Sequence, residues 1–202
     1  MSNIDRDKTY AAQSDQKIVA GLERLSQVFR TLLWEKAKTY QLSPIQIQIL
    51  LFVHQHPSEF SSISALALEF QVTKPTISDA VRMLEQKKMI SKRADSHDNR
   101  KYSIVLLPAG EEIAKASTDY THPIASWAEK LSACDQEQLW GSISGLIRVL
   151  NKEGVITVQR TCYACHYYSV RENSDFCNLL QKKLKTNDIQ IDCTEFKRGS
   201  AV

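Results

Sequence analysis

No stretch of the 202-residue sequence is apolar enough to cross a bilayer. The longest uninterrupted apolar run is Ile49-Leu50-Leu51-Phe52-Val53, whereas a spanning helix needs about 20 such residues. The N-terminal MSNIDRDKTYAAQSDQ has no apolar signal region. A cytoplasmic protein with no membrane partner is therefore expected. The six glycines form no phosphate-binding loop. No Ser/His/Asp set or paired catalytic carboxylates stand out either, so nothing points to a hydrolase or kinase, and the chain is not expected to be an enzyme. Internal repeats and low-complexity tracts are missing too. Cysteine is almost absent from the first 160 residues, where Cys134 stands alone, yet four more follow it.

What is present is ordinary globular composition, 43% hydrophobic and 24% charged, in a chain long enough for a full core and a small appendage. The net charge of +3 is unevenly spread. Residues 71–101 hold eight basic side chains (Lys74, Arg82, Lys87, Lys88, Lys92, Arg93, Arg100, Lys101) against four acidic ones (Asp79, Glu85, Asp95, Asp98). A local surface of this sign suits a polyanion, although a charge run is also what any solvated face looks like.

Ile18, Leu22, Leu25, Phe29 and Leu32 recur at steps of four and three, which predicts a long first helix over 15–40 with one apolar seam. SPIQIQILLFV alternates like a strand, but Ser43 as N-cap, Pro44 in the first turn and Gln46 at the capping-box position predict a helix. A short third helix carries Ile63, Leu66, Ala67 and Phe70. After a tight turn, Thr73 caps a fourth whose buried face is Ile77, Ala80, Val81 and Leu84. Two short helices so joined outline a helix-turn-helix. Its second helix turns Thr73, Lys74, Pro75, Thr76, Ser78, Asp79 and Arg82 outward, small polar and basic groups suited to base edges and phosphates. MISKRADSHDNRKYSIVLL reads as two strands around a polar turn, a basic wing with Arg93, Arg100 and Lys101. Helical pattern then returns with PAGEEIAKA, bends at His122-Pro123 and runs to about Leu131. Asp135 is expected to cap a last helix through Leu150, with Leu139, Ile143, Leu146 and Ile147 on it.

Over residues 15–151 the sequence resembles the MarR family of winged helix-turn-helix regulators. The resemblance lies in SPIQIQILLFV, in VTKPTISDAVRMLEQKKMI, in the wing RADSHDNRKYSIVLLPAGEEI with its Asp98-x-Arg100, and in the Pro-x-Gly helix start. It implies a mostly α fold with a small β-wing and a helical dimerisation region. It further implies a homodimer on a pseudo-palindromic double-stranded DNA operator, with Thr73 to Arg82 in the major groove and Arg100 at the wing. A small-molecule effector is a further candidate partner. Two departures stand out. Lys88 replaces the glycine usual after the recognition helix, so that helix is expected to end differently, and Leu107 replaces the threonine usual before Pro-x-Gly.

The remaining cysteines are spaced Cys162-x2-Cys165-x11-Cys177-x15-Cys193. Thiolates are soft ligands for zinc or for iron–sulfur clusters, and a pair two residues apart can chelate one centre. The second pair is split too widely for a zinc knuckle, whereas four separated cysteines can each hold one iron of a cubane. Tyr163, Tyr167, Tyr168 and Phe176 crowd the first three. The pattern resembles high-potential iron–sulfur proteins, in which a Cys-x2-Cys pair precedes a cysteine followed by an apolar pair and a lysine, as in CNLLQKK. Asp192 stands where that family usually has tryptophan. A [4Fe-4S] cluster is the expected cofactor, with Zn2+ and free or reversibly oxidised thiols as alternatives. Cys134 is expected to be a small buried side chain, and His166 a surface residue beside the site.

The expected organisation is a flexible N-terminus (1–14), a winged-helix domain (15–151), a linker (152–160) and a metal-binding subdomain (161–202). So small a unit folds best around a staple. Its place after the last helix suggests that a folded tail braces that helix against the partner subunit, making the metal centre a sensor of redox state, oxygen or iron. The competing reading is an iron–sulfur electron carrier on a winged-helix scaffold.

Overall fold

A computed structural model describes residues 3–94, 102–156 and 160–199, with side chains from Ser14 onward. Helix α1 runs Asn3–Thr39 and α2 Pro44–Gln55. The capping box forecast at α2 is present, with the Ser43 backbone N–H donating to Gln46 Oε1 at 2.9 Å. That helix is the centre of the molecule: Ile47, Ile49 and Leu50 are fully buried, so its strand-like alternation reflects burial on every face.

Helices α3 (Ile63–Glu69) and α4 (Lys74–Gln86) follow, α3 capped by Ser62 and α4 by the forecast Thr73. Ser62 Oγ accepts from Ala65 N (3.2 Å) and Thr73 Oγ1 from Thr76 N (3.3 Å). The buried face of α4 is Ile77, Ala80, Val81 and Leu84, as its periodicity requires. Strands β1 (Ile90–Ala94) and β2 (Tyr102–Leu106) pair antiparallel, Arg93 opposite Ser103. Ile104 N also donates to Ser61 O (3.0 Å), tying the wing to the start of α3.

Helix α4 ends in a way the sequence argument did not anticipate. Lys88 itself adopts the left-handed φ of 55°, and Met89 N donates to Leu84 O (3.0 Å). The closing turn is therefore kept despite the missing glycine. Gly110 has no such freedom of substitution: a Cβ there would lie 2.1 Å from Met89 O, because the chain after the wing crosses against the chain before it.

Helix α5 (Pro108–Ser117) gives way to a 3-10 turn (Thr118–Thr121) and α6 (His122–Ala128), a break at the forecast proline. Helix α7 spans Ala133–Lys152. Its N-cap is Ser132, not Asp135. Ser132 Oγ accepts from Asp135 N at 3.2 Å and donates to Asp135 Oδ2 at 2.6 Å, so the aspartate is the capping partner.

The tail forms a three-stranded antiparallel sheet of β3 (Tyr168–Arg171), β4 (Ser174–Cys177) and β5 (Lys182–Lys183). The β3–β4 hairpin turns on Glu172 and Asn173, both left-handed (φ 48° and 58°), the two-residue turn whose twist matches its strands. The tail rests on α7, where Trp140 Nε1 donates to Thr186 O (3.1 Å) and the Arg148 guanidinium lies 4.4 Å from the Tyr163 ring centre. Arg160, at the end of the expected linker, is buried against the winged helix. Helix α1 likewise begins at Asn3, inside the segment expected to be a flexible arm.

Candidate functional site

Two sets of residues carry chemistry. The first is the outer edge of α4. Thr73, Lys74, Pro75, Thr76, Asp79 and Arg82 are exposed together along it, and Ser78 is half-buried. The fixed cap and the buried apolar face orient this edge as a unit. Arg82 Nη2 pairs with Asp79 Oδ1 at 2.9 Å, one turn back, so its guanidinium is held over the helix surface and remains accessible to a phosphate. Arg93 is exposed on β1 beside this edge. Arg100 and Lys101 lie outside the described residues. Lys92 pairs with Glu85 (2.8 Å), fastening the wing base to α4.

The second set is in the tail. Cys162, Cys165, Cys177 and Cys193, 31 sequence positions apart at their extremes, surround one cavity of about 60 Å³, where a single water needs about 10–15 Å³ on this measure. Tyr167, Tyr168, Leu179, Leu180 and Leu184 complete its wall, with Glu195 at its edge. All four thiols are half-buried and none is in a disulfide. The cysteines come from three devices. Cys162 opens a 3-10 turn (Cys162–Ala164) that Cys165 follows, Cys177 ends β4, and Cys193 follows the left-handed Asp192 (φ 55°). Gln190 N donates to Cys162 Sγ at 3.3 Å, the kind of hydrogen bond that tunes a bound cluster.

Burial pushes the Cys162 thiol up, so a thiolate there needs a cation beside it. Burial and then the hydrogen bond to Asp175 (2.6 Å) likewise keep the Tyr168 phenol protonated. Among the described residues no three His, Cys, Asp or Glu side chains gather at the spacing of a single ion. The four cysteines instead stand around a hollow. Cys134 corrects an expectation: it is exposed in the first turn of α7, away from the cavity. His166 does not line the cavity.

Sequence reasoning named the four cysteines and the α4 residues but missed the cavity's second wall. Leu179 and Leu180 were legible as the apolar pair after Cys177. Leu184 and Glu195 carry no motif, and only the β4–β5 turn brings Leu184 in.

Residues 40–101 match the MarR family. The matched segment holds the helix-turn-helix and β1, and ends before β2. Solved structures extend the likeness. MepR of Staphylococcus aureus in its DNA-binding conformation superposes with a TM-score of 0.58 at 22% identity, covering 66% of this chain and 98% of that one. The S. aureus MepR–DNA complex gives 0.56 at 22%, covering 65% and 97%. MepR, described as a transcription regulator of the S. aureus multidrug efflux pump MepA, gives 0.50 at 22%, covering 64% and 95%. At this identity the likeness is one of fold, and about a third of the MarR-like chain lies outside it. No curated protein matches the sequence at a significant level. Among the described residues no helix is long and apolar enough to cross a membrane.

Proposed function

We propose that the protein is a homodimeric, DNA-binding transcription regulator whose tail holds a [4Fe-4S] cluster that reports redox state, oxygen or iron. The observation that carries the DNA reading is the exposed edge of α4, polar and basic, capped by Thr73 and flanked by the basic wing. In this reading α4 enters the major groove, with Lys74 and Arg82 on phosphate or base edges and the small hydroxyls of Thr73, Thr76 and Ser78 allowing close approach. Arg93 adds sequence-tolerant attraction, as Arg100 and Lys101 are expected to do from the sequence. MepR supports the assignment as a protein described both bound to DNA and as a transcription regulator.

Dimerisation is supported by two apolar stripes that α1 and α7 leave uncovered. Ile18, Leu22, Leu25 and Phe29 are 41–60% exposed on α1, and Leu139, Ile143, Leu146 and Val149 are 37–51% exposed on α7. Rows of this size on long helices are disfavoured in a monomer and suit a second copy of the same surface.

The four cysteines fit a cluster by donor type and by arrangement. A zinc ion with Zn–S bonds of about 2.3 Å would draw its sulfurs to about 3.8 Å from one another, whereas a cubane takes one thiolate at each of four separated corners. The aromatic and leucine wall gives the half-buried sulfurs apolar surroundings, and the Gln190 N–H adds a donor to Cys162. Bound there, a cluster supplies one-electron chemistry and sensitivity to oxygen.

The test is anaerobic purification with metal analysis and an absorption spectrum, followed by titration of duplex DNA from the protein's own promoter region. Broad visible absorption with about four irons per chain is expected. So is preferential binding to a pseudo-palindrome with half-site centres about one helical turn apart, weakening steeply with salt. A colourless protein with one zinc per chain would overturn the cluster. Equal affinity for random DNA at every salt concentration would overturn the regulator.

A further inference from the structure

Besides its contacts on α7, the tail meets the helix-turn-helix side of the winged helix through a buried arginine, with His56 Nε2 of α2 also 3.6 Å from Asp192 Oδ1. Arg160 is only 8% exposed. Its Nη1 and Nη2 meet Glu69 Oε2 and Oε1 at 2.8 and 2.9 Å, and its Nε meets Asp192 Oδ1 at 2.8 Å. The guanidinium also lies 5.0 Å from the Phe52 ring centre and 5.7 Å from that of Phe60. A two-pronged pair stacked on aromatic rings fixes direction as well as distance, which a lysine ammonium could not do.

Each partner of Arg160 belongs to one of the two sites. Glu69 is the last residue of α3, and Thr73, the cap of α4, follows after a single tight turn. Asp192 directly precedes Cys193, and its left-handed backbone turns Cys193 toward the cavity while its carboxylate faces Arg160. The main chain continues the connection. Asp192 N donates to Arg160 O (2.9 Å), Thr161 bridges Ile191, and Cys162 N donates to Gln190 O (3.2 Å). Residues 160–162 and 190–193 thus form one short antiparallel pair of segments around the Thr161–Ile191 bridge. Its cysteines line the cavity and its charged residues grip the helix-turn-helix.

We infer that the Arg160–Glu69 ion pair is the link through which the state of the cysteine centre sets the pose of the DNA-reading helices. This rests on the regulatory reading above and adds a route to it. With the four cysteines drawn onto one centre, Cys162 and Cys193 hold the two chains in register, Asp192 stays beside Arg160, and the end of α3 is clamped. When the centre is lost, only the main-chain contacts and the His56–Asp192 pair (3.6 Å) hold that register. As it loosens, Asp192 draws away from Arg160, and the buried guanidinium is held less firmly by Glu69 alone. The sequence suggested a brace on the last helix instead. That contact exists through Trp140–Thr186 and Arg148–Tyr163 and provides the control.

Full-length parent, Arg160→Gln, Glu69→Gln and Arg148→Ala proteins are compared with centre intact and after chelation. Cofactor content is read by absorption, DNA affinity at matched salt, and backbone hydrogen exchange over 63–86. The parent is expected to show an intact-to-stripped affinity ratio of about 5 to 150, falling to within about twofold in the Arg160 and Glu69 variants. Exchange over 63–86 rises in both variants while their absorption is unchanged, and Arg148→Ala keeps the parent ratio. Glu69 lies outside the tail, so its variant tests the link even where Arg160→Gln disturbs folding. Equal affinities in the parent would overturn the switch itself. A parent ratio that survives in both variants, or collapses only in Arg148→Ala, would overturn the Arg160 route alone.

Discussion

Lys88 and Gly110 sit on either side of the wing and are constrained in opposite ways. Lys88 adopts a φ of 55° that costs a residue with a Cβ about 1 kcal/mol relative to glycine. The cost is met because Met89 N must reach Leu84 O to start β1. Lys88→Gly is expected to raise unfolding stability by about 0.5–1 kcal/mol, read as a higher denaturant midpoint with an unchanged slope. Gly110 is needed for space, since any Cβ would run into Met89 O. Gly110→Ala should therefore destabilise by about 1–3 kcal/mol, because the wing base and α5 must part to admit a methyl group. A small effect in thermal or denaturant unfolding would mean that this crossing is looser than described. Leu107, where the resemblance leads one to expect threonine, is the N-cap of α5 and makes no side-chain cap bond, so this departure does forgo an interaction.

Among the elements, those with an end signal were the legible ones. Ser43, Ser62 and Thr73 mark the starts of α2, α3 and α4, and in each case a cap or capping partner forms as the residue types require. At α7 two candidate caps stood three residues apart. Asp135 was the wrong choice because Ser132 satisfies both the backbone and the aspartate. The tail hairpin is not legible in the sequence, since Glu172-Asn173 is a weak turn signal. Leucine and phenylalanine seams on α1 and α7 were read correctly as helix faces, but which of them packs inside the subunit is not a property of periodicity. Among the described side chains of α1 only Leu33 and Ala37, neither of them in that seam, are buried within the chain. If the seam belongs to a partner, Phe29→Glu should give a folded monomer by light scattering. Losing the second reading head should then lower operator affinity by a factor of about 10² or more. A Phe29→Glu dimer with parent affinity would assign that stripe another role.

At the scale of the whole molecule, the sequence showed a winged helix and a cysteine tail but could not show how they meet. Arg160 has no motif, and its partners Glu69 and Asp192 are 91 and 32 residues away, distances that only the fold resolves. The four cysteines were legible because ligand chemistry restricts residue type; their convergence on one cavity was an expectation that the fold alone could meet. Together the contacts of the tail, on α7, on His56 and at the end of α3, set the cysteine-bearing tail beside both the expected dimer helix and the helix-turn-helix pair. The central claim is that the state of this cavity sets affinity for DNA. Its most direct measurement is a titration of one operator duplex with anaerobically purified protein before and after chelator treatment, at the same salt concentration and with the dimer verified in both states. The account predicts affinities that differ by about 5- to 150-fold, the range of ordinary coupling between sites. Identical affinities from intact dimers would contradict it and leave the cysteines as a structural staple or an electron-transfer site.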